Sequence, residues 1–201
     1  MKLYYAPGAC SLSVHIALHE SGLAFDTIQV ATSTKTLPDG SHYLDINPLG
    51  YVPCLELSDG ERLLEGPAIV QYIADQVPEK NLAPPNGTPA RYRLQSWLNF
   101  IAMELHRGFA PLLMPDASDA LKAATRERLL QRFAWLNGQL DNREYLMGDA
   151  FTVADGYAFV VTGWAAMAGI DMSRLTHLAL HRARVGARPK VQAALRAEGL
   201  I

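Results

Sequence analysis

The chain has 201 residues, of which 49% are hydrophobic and 19% charged, and its formal net charge is −2 at pH 7. That size and apolar content suit one or two domains with a real core, and the near-neutral balance gives no reason to expect a nucleic acid or a membrane surface as partner. Two cysteines are too few for a disulfide framework, which fits a reducing, cytoplasmic setting, and the longest uncharged apolar segment, Gly156 to Ile170, is shorter than the roughly 20 residues of a membrane span.

Lys2 to Ala6 reads as a short buried strand, closed by Pro7-Gly8, which also interrupt any signal-like apolar run. Ser11 or Ser13 can cap a helix running to about Ser21, with Gly22 as its stop. Phe25 to Val30 alternates as a second strand, and Thr32 to Tyr43 is polar and turn-rich. Pro48 and Gly50 mark a turn ahead of an apolar strand, Cys54 to Leu57, with Pro53 at its entrance. Proline there donates no ladder bond and can hold a cis peptide, so the N–H and C=O of Val52 are expected to be free for an extended, peptide-like ligand. After a hairpin at Ser58-Asp59-Gly60 and a further strand, Glu65-Gly66 turns into a helix with Pro67 at its first position. Unpaired amides at that start favour an anion. A backbone clamp thus adjoins a carboxylate socket.

The β-α-β then β-β-α order suits a small mixed sheet with helices on its faces, and a thioredoxin-like domain is the preferred reading. Val77 to Ala90 is a linker by composition, with four prolines and Asn86-Gly87. Beyond it every element reads as helix. Arg91 to about Arg107 carries a stripe of Leu94, Trp97, Leu98, Ile101 and Leu105, and Thr125 to Leu140 turns Leu129, Phe133 and Leu136 inward. Val153 to Ala168, apolar nearly all round, is the expected buried central helix. Thr152-Val153-Ala154-Asp155 starts it with a capping box, although Gly156 stands where a staple with Phe151 would need an apolar partner. Arg188-Pro189-Lys190 opens a last short helix. The expected domains are 1–79, α/β and thioredoxin-like, and 88–201, all-helical.

The run Asn47-Pro48-Leu49-Gly50-Tyr51-Val52-Pro53, followed by Leu64-Glu65-Gly66-Pro67-Ala68-Ile69, resembles the glutathione-binding core of cytosolic glutathione transferases. The opening Met1-Lys-Leu-Tyr-Tyr-Ala-Pro-Gly-Ala-Cys10-Ser-Leu-Ser is similar to the bacterial beta class. The resemblance runs through almost the whole chain. It implies a homodimer that uses glutathione as co-substrate against small hydrophobic electrophiles in detoxification.

Cys10 lies between the first strand and the first helix, where helix amides can lower a thiol pKa from about 8.5 into the range of roughly 3.5 to 7.5. Residues alone leave a buried, inert thiol equally open, and the resemblance favours the functional role, next to the glutathione sulfur. Cys10-Ser11-Leu12-Ser13 has no second cysteine, which suits a mixed disulfide better than an intramolecular one. Cys54 begins a core strand and reads as packing. The resemblance places Glu65 against the γ-glutamyl ammonium and Lys35 against the glycyl carboxylate. Gly66 stands where relatives often carry Ser, so the backbone N–H is kept and a hydroxyl is missing. Asn99, Met103 and His106 recur at i, i+4 and i+7 on one helix face. With Glu104 and Arg107, the latter in place of the usual Lys, they are expected to wall the glutathione site. Ser11 and His106 are expected to help orient the tripeptide, and Phe109 to Met114 to border the electrophile.

Two rival activities keep the same fold: a glutathione-dependent thiol–disulfide reductase or reductive dehalogenase with Cys10 as nucleophile, and a non-catalytic binding protein. The i, i+4 pairs His15/His19 and His177/His181 have a spacing seen in metal sites. No acidic or thiol partner is arranged with them in the sequence, so they read as solvated helix faces and no metal is expected. Tyr4 and Tyr5 read as strand core or site wall.

Overall fold

The computed structural model describes residues Met1–Ile201, which divide into two units, Met1–Ala83 with Arg188–Ile201, and Pro84–Ala187. In the first unit β1 (Lys2–Tyr5) runs up the middle of a four-stranded sheet ordered β2-β1-β3-β4. It is parallel to β2 (Asp26–Gln29) and antiparallel to β3 (Cys54–Glu56), and β3 is antiparallel to β4 (Arg62–Leu64). The parallel pair requires a crossover, supplied by α1 (Leu12–Ser21), which Gly22 ends in the left-handed conformation with its N–H on the Leu18 carbonyl. Leu3, Tyr4 and Tyr5 are buried as a central strand demands, and Tyr4 packs with Val30, Tyr43 and Cys54. The thioredoxin-like order and its helices match the reading of the sequence. Helix α2 (Gly66–Asp75) follows β4 and buries Ile69, Val70, Ile73 and Ala74.

The C-terminus corrects the expected boundary at 88–201. Helix α8 (Pro189–Ala197) and the tail beyond it belong to the first unit, not to the helical one. Val191 and Ala194 are its buried apolar face. Arg188 donates to both oxygens of Glu20 on α1, at 2.7 and 2.9 Å. Behind them His15 Nδ1 meets Glu198 Oε1 at 2.9 Å, with both side chains buried. A buried polar pair is tolerated where hydrogen bonds satisfy it, and Glu198 Oε2 accepts a second bond from the Gly8 N–H at 2.9 Å.

The second unit is helical, and none of the chain's helices is long and apolar enough to cross a membrane. Helix α3 (Pro89–Phe100) is capped by Thr88, whose hydroxyl accepts from the Arg91 N–H. The expected single helix to Arg107 does not continue as an α-helix: Ile101–His106 forms a π turn and Arg107–Phe109 a 3₁₀ turn, before the short α4 (Ala110–Leu113). Helix α5 (Asp119–Gln139) starts earlier than expected because Ser118 caps it, accepting from the Leu121 N–H. Helix α6 (Val153–Gly163) is buried on nearly every side and opens with the Thr152–Asp155 capping box. Phe151, lacking a staple partner at Gly156, sets its ring edge-on to Tyr145 instead. Helix α7 (Thr176–Gly186) delivers His181 to Asp155 at 2.9 Å. His15 and His181 are therefore buried and paired with carboxylates, not solvated: their partners, Glu198 and Asp155, come from distant turns of chain.

Candidate active site

In the first unit the loop between β1 and α1 is held by its own backbone and by the tail. Gly8 takes φ +70°, which a side chain rarely adopts, as its N–H reaches Glu198. Ser11 is fully buried, and its hydroxyl is shared between the N–H and C=O of Ala6, at 3.1 and 3.2 Å. Its hydroxyl therefore shapes the loop, and its backbone N–H is directed at Cys10. The Ser13 hydroxyl donates to the Cys10 carbonyl at 2.7 Å. Between these anchors the Cys10 thiol donates to the Val52 carbonyl at 3.2 Å.

That bond joins the loop to the segment before β3. The Val52–Pro53 peptide is cis. Val52 is half-buried and its N–H has no partner in the chain, whereas its carbonyl, expected to be free, already accepts from Cys10. A carbonyl oxygen has two lone pairs, so one acceptor site is left. The shape of the segment rests on Tyr43 and Asn47. Tyr43 Oη and Asn47 Nδ2 both donate to the Tyr51 carbonyl at 2.8 Å, and Asn47 Oδ1 accepts from the Leu49 N–H at 3.1 Å. The signal for Asn47 was available, since Asn before Pro favours such a side-chain turn. Lys35 Nζ donates to the Gly50 carbonyl at 2.8 Å and keeps two further donors.

Glu65 immediately precedes α2 with φ +64° and ψ 109°, a conformation costly for any residue with a Cβ. Ala68 and Ile69 both donate to its carbonyl, its carboxylate is exposed and unpaired, and the Gly66 N–H has no partner in the chain. A Cβ on Gly66 would lie 3.9 Å from both Pro53 Cγ and Ser13 Oγ, which places Cys10's loop, Val52-Pro53 and Glu65-Gly66 around one spot.

The electrostatics run against the expectation of a depressed Cys10 pKa. Burial pushes the Cys10 thiol up to about 11; backbone N–H groups of Cys10 and Ser11 pull the other way, and the Glu65 carboxylate adds to the rise. Desolvation of a charge outweighs partial dipoles here. Burial also lifts Cys54 to about 11, consistent with packing.

In the second unit the expected residues follow one helical path, which passes from α3 into the π turn of Ile101–His106, where the spacing departs from that of an α-helix. Asn99, Met103 and Arg107 are exposed. Glu104 gives its carboxylate to Arg132 at 2.7 Å and its pKa falls accordingly. His106 is half-buried, with Nδ1 2.7 Å from the Tyr157 hydroxyl and its ring edge-on to Trp164 at 5.1 Å. Burial, reinforced by Arg107, holds its pKa below the ordinary imidazole value. Trp164 in turn meets Phe109 edge-on at 5.5 Å. Tyr157 and Trp164 were not legible as site residues, since both sit in the apolar run of α6 and its end.

Comparison with known proteins accords with this geometry. Residues 8–76 match the glutathione S-transferase N-terminal domain and residues 100–189 the C-terminal domain. The chain is 44% identical over 200 residues, the whole of both proteins, to glutathione S-transferase GstA of Escherichia coli O157:H7. A sphingomonad glutathione S-transferase complexed with glutathione superposes with a TM-score of 0.96 at 46% identity, all of each chain being covered. The beta class enzyme of Sphingomonas chungbukensis does so with 0.96 at 47%, again over all of both chains. With both domain models matched and full-length relatives of this similarity, the chain belongs to the glutathione S-transferase family.

Proposed function

We propose that this glutathione transferase joins the sulfur of glutathione to small hydrophobic electrophiles, with Cys10 as a hydrogen-bonding neighbour of that sulfur and not as the attacking group. The observation that carries the reading is the Cys10–Val52 hydrogen bond at 3.2 Å, which fastens a protonated thiol to the segment suited to clamp an extended peptide. On binding, the Cys10 S–H turns from the Val52 carbonyl to the glutathione thiolate, to which it donates weakly, and leaves that carbonyl to the peptide. The glutathione thiol releases its proton to solvent, its sulfur forms the new C–S bond, and the electrophile's leaving group departs with the bonding electrons.

Val52 pairs with the peptide backbone of glutathione, Glu65 with its ammonium, and the Gly66 N–H with its γ-glutamyl carboxylate. Lys35 has two donors left for the glycyl carboxylate. From the second unit we assign Asn99, Met103, His106 and Arg107 to the wall of the site, and Phe109 to Met114 to the electrophile; Glu104, engaged by Arg132, serves by holding that helical path. Thiol–disulfide exchange or dehalogenation through a Cys10 nucleophile needs a thiolate, and burial works against one. We read the working unit as a homodimer in the cytoplasm with a detoxifying role. Exposed Leu49, Tyr51, Tyr92 and Trp135, and two free cysteines, support that reading.

The test is a panel of electrophiles and mixed disulfides assayed with and without glutathione, on wild type, Cys10→Ala and Glu65→Ala, alongside sedimentation of the wild type. Cys10→Ala should keep most conjugating activity, and Glu65→Ala should lose glutathione affinity by about 1.5–3 kcal/mol, as for a lost charge-assisted hydrogen bond. Efficient disulfide reduction that vanishes in Cys10→Ala, with conjugation absent in both, would overturn the proposal.

A further inference from the structure

We infer that Tyr157 is a positioning residue for the transfer reaction: its phenol holds His106 in the tautomer that carries its proton on Nε2, so that His106 serves glutathione as a neutral hydrogen-bond donor. The inference rests on the assignment of His106 to the glutathione site.

Four observations carry it. The Tyr157 hydroxyl lies 2.7 Å from His106 Nδ1, and Tyr157, on the buried helix α6, is only 3% exposed. A buried phenol needs a hydrogen-bond partner. Of the two directions open to this bond, the phenol is the better donor and the imidazole nitrogen the better acceptor, as their ordinary pKa values of about 10 and 6.5 reflect. Nδ1 therefore accepts, and in a neutral ring the proton must sit on Nε2. Second, the ring is held at its edges, by Trp164 at 5.1 Å and 70° and by Tyr157 itself at 6.0 Å and 88°, so the side chain has little room to turn over. Third, Nε2 makes no hydrogen bond within the chain and is not among the buried unpaired atoms, so it is open to a ligand. Fourth, His106 ends the π turn of Ile101–His106, an irregularity frequent at functional sites. Burial and the neighbouring Arg107 keep the ring neutral at physiological pH.

A ring of this kind donates and does not take up a proton. It would stabilise negative charge on the glutathione thiolate or carboxylate, and deprotonation of the thiol would fall to solvent.

The experiment combines nitrogen NMR of histidine-labelled protein with a double-mutant cycle of Tyr157→Phe and His106→Asn. Wild type should show a pyridine-like Nδ1 and a pyrrole-like Nε2 for His106, assigned by their loss in His106→Asn. Tyr157→Phe, which keeps the ring, should lower kcat/KM about three- to tenfold, the effect of one hydrogen bond, and should mix the tautomers. In the His106→Asn background the same change should have no further effect. A proton on Nδ1 in the wild type would overturn the inference, as would an equal loss from Tyr157→Phe in both backgrounds, which marks a merely structural role. Full activity in His106→Asn would instead remove the assignment of His106 on which it rests, and the inference with it. Loss of activity in His106→Asn but not in Tyr157→Phe would leave that assignment intact and reject the role of Tyr157 alone.

Discussion

Replacing Asp155 by Ala is the most severe single perturbation the capping of α6 offers, and the structure raises its expected cost well above that of an ordinary cap. A lost N-cap costs about 0.5–2 kcal/mol. Asp155, however, is fully buried and accepts four hydrogen bonds: from the N–H of Leu146 and of Thr152 at 2.8 Å each, from His181 at 2.9 Å and from the Thr152 hydroxyl at 3.0 Å. The hydroxyl can find another acceptor. Two buried amides and one buried imidazole cannot, and each orphaned group costs about 1–3 kcal/mol, which sums to roughly 6 kcal/mol at mid-range. For a chain of this size about 1 kcal/mol moves Tm by 2–4 °C, so Asp155→Ala should melt roughly 12–24 °C lower. Thr152→Ala, which removes only the hydroxyl, should cost about 1 kcal/mol. Thermal melting and urea titration read both, and initial rates per folded molecule should stay near those of wild type. A loss in Asp155→Ala no larger than that of Thr152→Ala would refute the reasoning, because the carboxylate would then be acting as a cap and nothing more.

Alkylation of Cys10 should rise with a midpoint near 11, and at pH 8 run on the order of 200-fold slower than an ordinary thiol of pKa about 8.5; a midpoint at or below 8.5 would show that the helix amides win over burial. Because Cys10 and Cys54 are both raised, the folded state keeps protons that the unfolded chain releases, so the urea midpoint should fall as pH rises from about 8.5 toward 11; an unchanged midpoint across that window would contradict it. Gly66→Ser should be tolerated, since its Cβ meets only ordinary contacts at 3.9 Å, and should tighten glutathione by the roughly 0.5–1.5 kcal/mol of one hydrogen bond; weaker binding in calorimetry would count against the placement of the γ-glutamyl end. Glu65→Gly relieves a positive φ while removing the carboxylate, so it should lose glutathione affinity without losing thermal stability; the reverse pattern would make Glu65 a structural residue.

Much of this protein was readable from local chemistry. Gly22 ends α1, Gly66-Pro67 opens α2 one residue ahead of the expected start, Thr152 and Asp155 open α6, and the turn at Pro48 to Gly50 leads into β3, because each of these depends on backbone conformation and on donors a few residues away. The family resemblance lay in the runs Asn47 to Pro53 and Leu64 to Ile69 and in the opening Met1 to Ser13, and the first two carry the clamp and the socket within one short unit. What lay beyond local chemistry was decided by who meets whom across the fold. His15 and His181 read as solvated until Glu198 and Asp155 arrived from 183 and 26 residues away. Helix α8 left the helical unit for the first one because its apolar face and Arg188 found α1. The pKa of Cys10 followed the same rule. Its helix amides are visible in the sequence and lower it, but desolvation and the charge of Glu65 come from the packed chain, and burying an ion outweighs a few partial charges.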